Sequence, residues 1–319
     1  MPEFPKPTFS YEYDPDAQID ALREYEQNEP GRDVPAKAAN RLLIATWNIA
    51  NLEAHDRRDK DHRLMAEILR WFDVIALQEV RDNLGDLLQI QSHLPASYEL
   101  LFTDPSGNDE RMTFVSDASK VKLLQEVGEV APAPASFRYI KLPGITQRFD
   151  GFDRNPYLAT FQAGTFTFSL VNVHLYFGTD STYSKNRRSL EAYAIARWAD
   201  LRRNSDFALT KDIIPLGDFN LPLVQPGDEI YEALTARGLQ LPPHSTQVGG
   251  ATVGQDTHYD QVAFFPGDTQ NDFTGQSGVF DFDGAIFAYL WDTRPLSDFY
   301  DYVRYYMSDH RPLWAEFRI

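Results

Sequence analysis

The chain has 319 residues, 43% hydrophobic and 24% charged, with a formal net charge of −17 and no cysteine. That composition is ordinary for a folded globular protein and excludes disulfide scaffolds and thiolate metal sites. Such an acidic balance weighs against tight sequence-specific DNA binding, but it allows an enzyme that meets phosphate through bound metal and a few local arginines.

In chain order, residues 1–40 read as an extension, Pro-rich at the start, with one short helix over 17–26 and a linker marked by Pro30, Gly31 and Pro35. The expected domain spans 41–319. It opens on RLLIATWNIANLEAHDRRDKDHRLMAEILRWFDVIALQEV, which reads as strand, loop, helix, strand. Residues 42–47 form an apolar run stopped by Asn48 and Asn51; Leu64, Met65, Ile68 and Leu69 recur at helical spacing behind Asp61, read as the N-cap; 74–77 is a second apolar run. Two parallel strands joined by a helical crossover deliver Asn48 and the pair Gln78-Glu79 to one sheet edge, where an amide and a carboxylate suit a hard divalent cation.

Further on, 84–90 reads as a helix, 98–102 as a strand, and 111–116 and 121–130 as antiparallel neighbours. Residues 131–156 are irregular, with four prolines and the basic groups Arg138, Lys141, Arg148 and Arg154. A hairpin over 157–161 and 166–174, a helix from about Ser184, a strand over 213–216 ending in GDFN, a short helix over 229–237 and strands over 259–265 and 312–319 complete the reading. The aromatic stretch 266–307 carries no assignable pattern. Many short strands with a few helices imply two packed sheets covered by helices. Polar residues recur just after strands: Asn48, Glu79, His174, Asp218, Asn220 and Asp309-His310. Singly each is a turn former or strand end; as a set they mark a site. No HExxH, P-loop or GxSxG pattern occurs.

The motifs TWNIANL, DVIALQEV, NDERMTF, RNPYLATF, VNVHL, PLGDFN, HYDQV and SDHRPLW, in that order, resemble the endonuclease/exonuclease/phosphatase superfamily over 41–319. The resemblance implies an α+β fold: two packed, mostly antiparallel sheets flanked by helices, the DNase I-like four-layer sandwich. It also implies roles. Glu79, with Asn48, would hold Mg²⁺ or Mn²⁺ (Ca²⁺ as a supporting ion), and Asp309 would lie near the metal directly or through water. Asp218 would orient or deprotonate the attacking water, and Asn220 would bond a phosphate oxygen. His310 would contact the phosphate with Asp260 behind it, and Glu110 would orient His174. Arg154 and Tyr157 would sit beside the phosphate.

Elementary chemistry agrees, because hydrolysis of an anionic phosphodiester is mostly charge neutralisation and positioning. Histidines paired with carboxylates are raised in pKa and can clamp or donate protons near neutrality; which of His174 and His310 protonates the leaving oxygen stays open. Elsewhere, His55 and His62 read as solvated loop residues, His258 as a loop residue, and Arg187 and Arg188 as a solvated helix face. The expected function is a metal-dependent, sequence-nonspecific nuclease. The alternatives are a hydrolase of a smaller ester (inositol phosphate, phosphoinositide or sphingomyelin type) and a catalytically dead scaffold, whose mark would be lost catalytic residues. A monomer without a protein partner or membrane insertion is expected, cytoplasmic by default with secretion left open.

Overall fold

A computed structural model describes residues 4–319. In chain order the elements are α1 (Pro15–Asn28), β1 (Arg41–Leu52), α2 (Asp59–Arg70), β2 (Val74–Arg81), α3 (Gly85–His93), β3 (Tyr98–Phe102), β4 (Glu110–Asp117) and β5 (Lys122–Glu129). Then follow β6 (Tyr157–Ala163), β7 (Phe166–His174), α4 (Thr182–Arg203), β8 (Ile213–Asp218), α5 (Glu229–Thr235), β9 (Asp260–Val262), β10 (Phe273–Val279), α6 (Ala288–Thr293), α7 (Leu296–Tyr306) and β11 (Leu313–Arg318). One sheet has six strands in the order β10-β11-β1-β2-β4-β3, the other five in the order β5-β6-β7-β8-β9. Among the described residues only β1–β2 and β7–β8 pair in parallel; each parallel pair is joined through a helix.

Strand β1 explains the layering. Leu42 and Ile44 face the second sheet and meet Phe161, Phe168 and Leu216, whereas Leu43, Ala45 and Trp47 face outward under α2 and α7. Burial on both faces is why its sequence runs apolar instead of alternating. On the far side Val171 and Val173 pack beneath Ile195 and Ala199 of α4. The result is helix, sheet, sheet, helix. Ile19, Leu22 and Val34 of the N-terminal stretch join the outer cluster, and Arg23 makes a two-pronged contact with Glu67.

Several expectations are corrected. Strands β4 and β5 are not neighbours: β4 lies between β2 and β3, while β5 edges the other sheet against β6. The turn between them is short enough for a hairpin, but β4 is buried on both faces and β5 alternates, so they suit different positions. Asp61 is the third residue of α2, not its cap; its carboxylate reaches back to the Arg58 backbone N–H at 2.8 Å. His55 and His62 are buried, His55 accepting the Phe4 N–H at 3.1 Å and His62 facing Asp86 at 3.2 Å. The unassigned stretch supplies β10, α6 and α7, whose Phe299, Tyr302 and Val303 close the outer core.

Candidate active site

Strand register assembles the site. The parallel pair β1–β2 sets Asn48 beside Gln78, with Glu79 next; β7–β8 sets His174 opposite Asp218; β8–β9 sets Asp218 opposite Asp260. Packing of the two sheets then brings these edges together. Beneath them Gln78 donates to Asn172 at 2.7 Å, and Asn172 donates to the Leu77 and Thr113 carbonyls, a satisfied polar plug between the sheets.

Glu79 sits where the β2 register slips, at φ +62°, a left-handed conformation costly for a side-chain-bearing residue. Its Oε2 accepts the Asn51 N–H at 2.9 Å, and its Oε1 accepts the Asn48 amide at 3.1 Å. The same Asn48 nitrogen reaches Asp218 Oδ2 at 3.1 Å, so one amide bridges two carboxylates. Asn48 thus presents nitrogen to the cluster, its oxygen being taken by the Ala50 N–H. Gly217, at φ +140°, is required here: a Cβ would lie 2.0 Å from the Val173 carbonyl oxygen of the adjoining strand.

Two histidine–carboxylate pairs flank this centre. His174 Nδ1 lies 2.8 Å from Glu110, and its Nε2 faces Asp218 at 3.7 Å and Glu79 at 3.9 Å. Burial works against the Glu110 charge, but His174 and Arg154 overcome it and hold the carboxyl down at about 2. His310 Nδ1 lies 2.6 Å from Asp260. Burial pushes the Asp260 carboxyl up to about 6; for His310, burial is outweighed by Asp260, Asp309 and Asp218, which raise it well above its ordinary value. The two groups titrate as one coupled pair. Asp218 is held below the usual range because His174 and His310 outweigh its burial. Asp309 is raised by burial and by Glu79. The turn carrying Asp309 and His310 is pinned by Ser308, which donates to the Asn48 carbonyl at 2.7 Å and accepts the His310 N–H at 2.9 Å.

The donor set fits a hard cation. Glu79, Glu110 and His174 offer ligand atoms within 4.8 Å of one another, as do Asp218, Asp260 and His310. Buried oxygens of Glu110, Asp260 and Asp309 have no hydrogen-bond partner. Buried carboxylates crowded together, with oxygens left over, are what a divalent ion neutralises.

A cleft of about 700 Å³ opens onto His174 and Asp218 and is lined also by Arg81, Arg154, Tyr176 and Asn220. Arg154 is buried and donates to the His174 carbonyl at 3.1 Å. Asn220, at φ +50°, donates to the Leu175 carbonyl at 2.8 Å. Tyr157 is not brought to the cleft. It stands opposite Asn172, so its ring faces the other sheet and stacks on Phe114 with centroids 5.5 Å apart. His258 stays in a loop beside His244.

The sequence reading missed the groups that shape the cleft walls. Arg188 is not a solvated helix residue: it is buried and donates to the Tyr176, Phe177 and Asn220 carbonyls at 3.2, 2.8 and 3.0 Å. Arg187 pairs with Asp153 and Glu191. Glu191 accepts the Asp153 and Tyr176 N–H groups, tying both walls to α4. Helical spacing alone cannot reveal these contacts. Arg81 could have been found, two residues beyond Glu79 on the same strand.

No family model matches the sequence, and no curated protein matches it. Solved structures do. An endonuclease/exonuclease/phosphatase family protein from Bacteroides thetaiotaomicron is 19% identical, with TM-score 0.58, covering 87% of this chain and 97% of its own. D. rerio TDP2, complexed with a single-strand DNA product, is 17% identical, with TM-score 0.56, covering 88% and 99%. A Bacteroides thetaiotaomicron mannosyl-6-phosphatase is 16% identical, with TM-score 0.55, covering 87% and 100%. Among the described residues no helix is long and apolar enough to cross a membrane. Two mixed sheets of six and five strands with helices on both outer faces, matched over nearly the whole length of these structures, show that the chain has their fold, a DNase I-like α+β sandwich.

Proposed function

We propose that this protein is a divalent-metal-dependent phosphodiesterase, and that its substrate is nucleic acid cut without sequence specificity. The observation that carries the reading is the convergence of two histidine–carboxylate pairs and Glu79 on Asp218 and His174, which line the cleft together with Asn220. Glu79 and Asp309, with Asn48 turned to present its oxygen, would hold Mg²⁺ or Mn²⁺. Such an ion supplies charge neutralisation and polarisation of a phosphate oxygen.

The chain's own groups supply the rest. Asp218, kept ionised, orients water and accepts its proton through the oxygen not engaged by the Asn220 N–H. The Asn220 amide and the imidazolium of His310 bind phosphate oxygens as charge builds on them. His174, held by Glu110, faces the same space through Nε2 and stands beside Asp218 on the path of the transferred proton. That D. rerio TDP2 was solved with a single-strand DNA product supports nucleic acid as the substrate class.

A second reading, a smaller phosphate ester, is favoured by the charge of the cleft wall: Arg154 and Arg187 are both engaged by Asp153, which leaves Arg81 as the one of these arginines without a carboxylate partner among the described residues. The mannosyl-6-phosphatase of the same fold fits it. Nicking of supercoiled plasmid in millimolar Mg²⁺ or Mn²⁺, with and without EDTA, tests the proposal. Metal-dependent nicking absent in His174→Ala and Asp218→Ala supports it; no nicking by a folded protein that binds metal refutes the nuclease assignment.

A further inference from the structure

Beside the cleft lies a surface of opposite electrical character to the molecule as a whole. The connection from β5 to β6 packs Ile140 and Phe149 against Leu190 and Ala194 of α4, which fixes its backbone. Its basic side chains are left outside: Arg138, Lys141 and Arg148 are exposed around a recess of about 510 Å³, floored by Phe137, Ile145 and Phe149. These three and Arg197 of α4 have no carboxylate within 4.0 Å among the described residues, whereas Arg154 and Arg187 toward the cleft are both paired with Asp153. Asp150 is the one acid lining the recess. Tyr139 stands at its edge, 49% exposed, with the Arg138 and Arg197 guanidiniums 4.7 and 5.4 Å from its ring centre.

A protein of net charge −17 repels polyanions over most of its surface, so a fixed group of unneutralised cations decides where one can settle. Cations interleaved with an exposed aromatic ring and an apolar floor suit a strand whose bases are free to stack, and duplex offers only its phosphates to such a recess. The segment leads directly into the cleft wall: the Phe149 and Phe152 rings meet at 5.3 Å, and Asp153 and Arg154 follow in the cleft lining. Arg148 and Arg154 are separated by at most about 20 Å of chain, within reach of one oligonucleotide.

We propose that the 137–150 segment with Arg197 is a binding site for the single-stranded flank of a nucleic-acid substrate whose scissile phosphate lies between His174 and Asp218. The inference rests on the nuclease reading above and makes the connection the determinant of affinity for long substrates. The test compares wild type with the triple variant Arg138→Glu, Lys141→Glu, Arg148→Glu, none of which touches the catalytic centre. Binding of a fluorescein-labelled single strand of about 16 nucleotides, the upper end of such site sizes, is followed by anisotropy in EDTA across a salt series. Hydrolysis of bis(p-nitrophenyl) phosphate with Mn²⁺ is followed separately.

The variant is expected to bind the single strand at least tenfold more weakly. Its slope of log Kd against log salt should flatten by about 2, because each single-strand phosphate contact contributes about 0.7. Its hydrolysis of the small diester should match wild type. Unchanged strand affinity overturns the inference, as does a loss as large for duplex as for single strand, or capture by anionic phospholipid vesicles without strand binding. If wild type hydrolyses no diester yet the variant loses strand binding, the binding site stands and the catalytic reading fails.

Discussion

Replacing Glu191 by Gln should uncouple the stability of this protein from pH in a predictable way. Glu191 is buried in α4, and its two oxygens accept the N–H groups of Asp153 at 3.1 Å and Tyr176 at 2.9 Å. Burial pushes its carboxyl up from the ordinary 4.5 to about 7, against the opposing pull of those N–H groups and Arg187. A folded value above the unfolded one means that the folded state holds the proton more tightly. The resulting stability is fully present below 4.5 and is lost as pH rises through 7. At 1.36 kcal/mol per pH unit the whole loss is about 3 kcal/mol, of which about 2 kcal/mol falls between pH ~5.5 and ~8.5.

Glu191→Gln abolishes this titration at a constant cost of about 1–3 kcal/mol, because an amide can accept only one of the two N–H groups. With an unfolding entropy of about 2.1 cal/mol/K per residue, the difference in Tm between wild type and variant should narrow by about 3 °C from pH ~5.5 to ~8.5. Thermal unfolding followed by circular dichroism across that range measures it. Parallel Tm–pH curves for the two proteins would refute the reasoning.

Three further outcomes follow from the same geometry. Mg²⁺ should raise the Tm of wild type by about 4 °C at a hundredfold excess over its Kd, and Glu79→Gln should abolish that shift; an undiminished shift in the variant would remove Glu79 from the metal site. Asp260→Asn should lower kcat on a small diester by about 10²–10⁴ with little change in KM, since the 2.6 Å partner that keeps His310 an imidazolium is gone; a loss under about threefold would count against that role. Gly217→Ala should cost about 3 kcal/mol or more in urea unfolding, because its Cβ meets the Val173 carbonyl at 2.0 Å; a smaller cost would show that β7 and β8 can separate freely.

The sequence alone determined most of the sheet architecture, because burial imposes periodicity that survives in the chain. The run 42–47, the helical stripe through Leu64 and Ile68, and the run 74–77 read as a parallel pair with its crossover, and the structure sets Asn48 and Glu79 together at their ends. His174 and Asp218 likewise stood out because each closes an apolar run, and the parallel register of β7 and β8 sets them side by side. Short motifs carried the pairing of Glu110 with His174 and of Asp260 with His310, residues far apart in sequence whose carboxylates and imidazoles meet at 2.8 and 2.6 Å.

What the chain could not declare were contacts settled by packing between elements. A short turn after Asp117 permits a hairpin, yet β4 and β5 part into different sheets because β4 is buried on both faces and β5 is only half-buried on one. Tyr157 stands next to a basic segment in sequence and inside the sandwich in space, because its register with Asn172 points it inward. Arg188 and Glu191 look like any charged helix face, and only the approach of the 175–178 and 219–221 loops to α4 turns them into the ties that hold the cleft walls. Hydrophobic patterning is local and repeats along the chain; the partner of a buried charge is fixed by a single encounter in three dimensions, which leaves no trace in spacing.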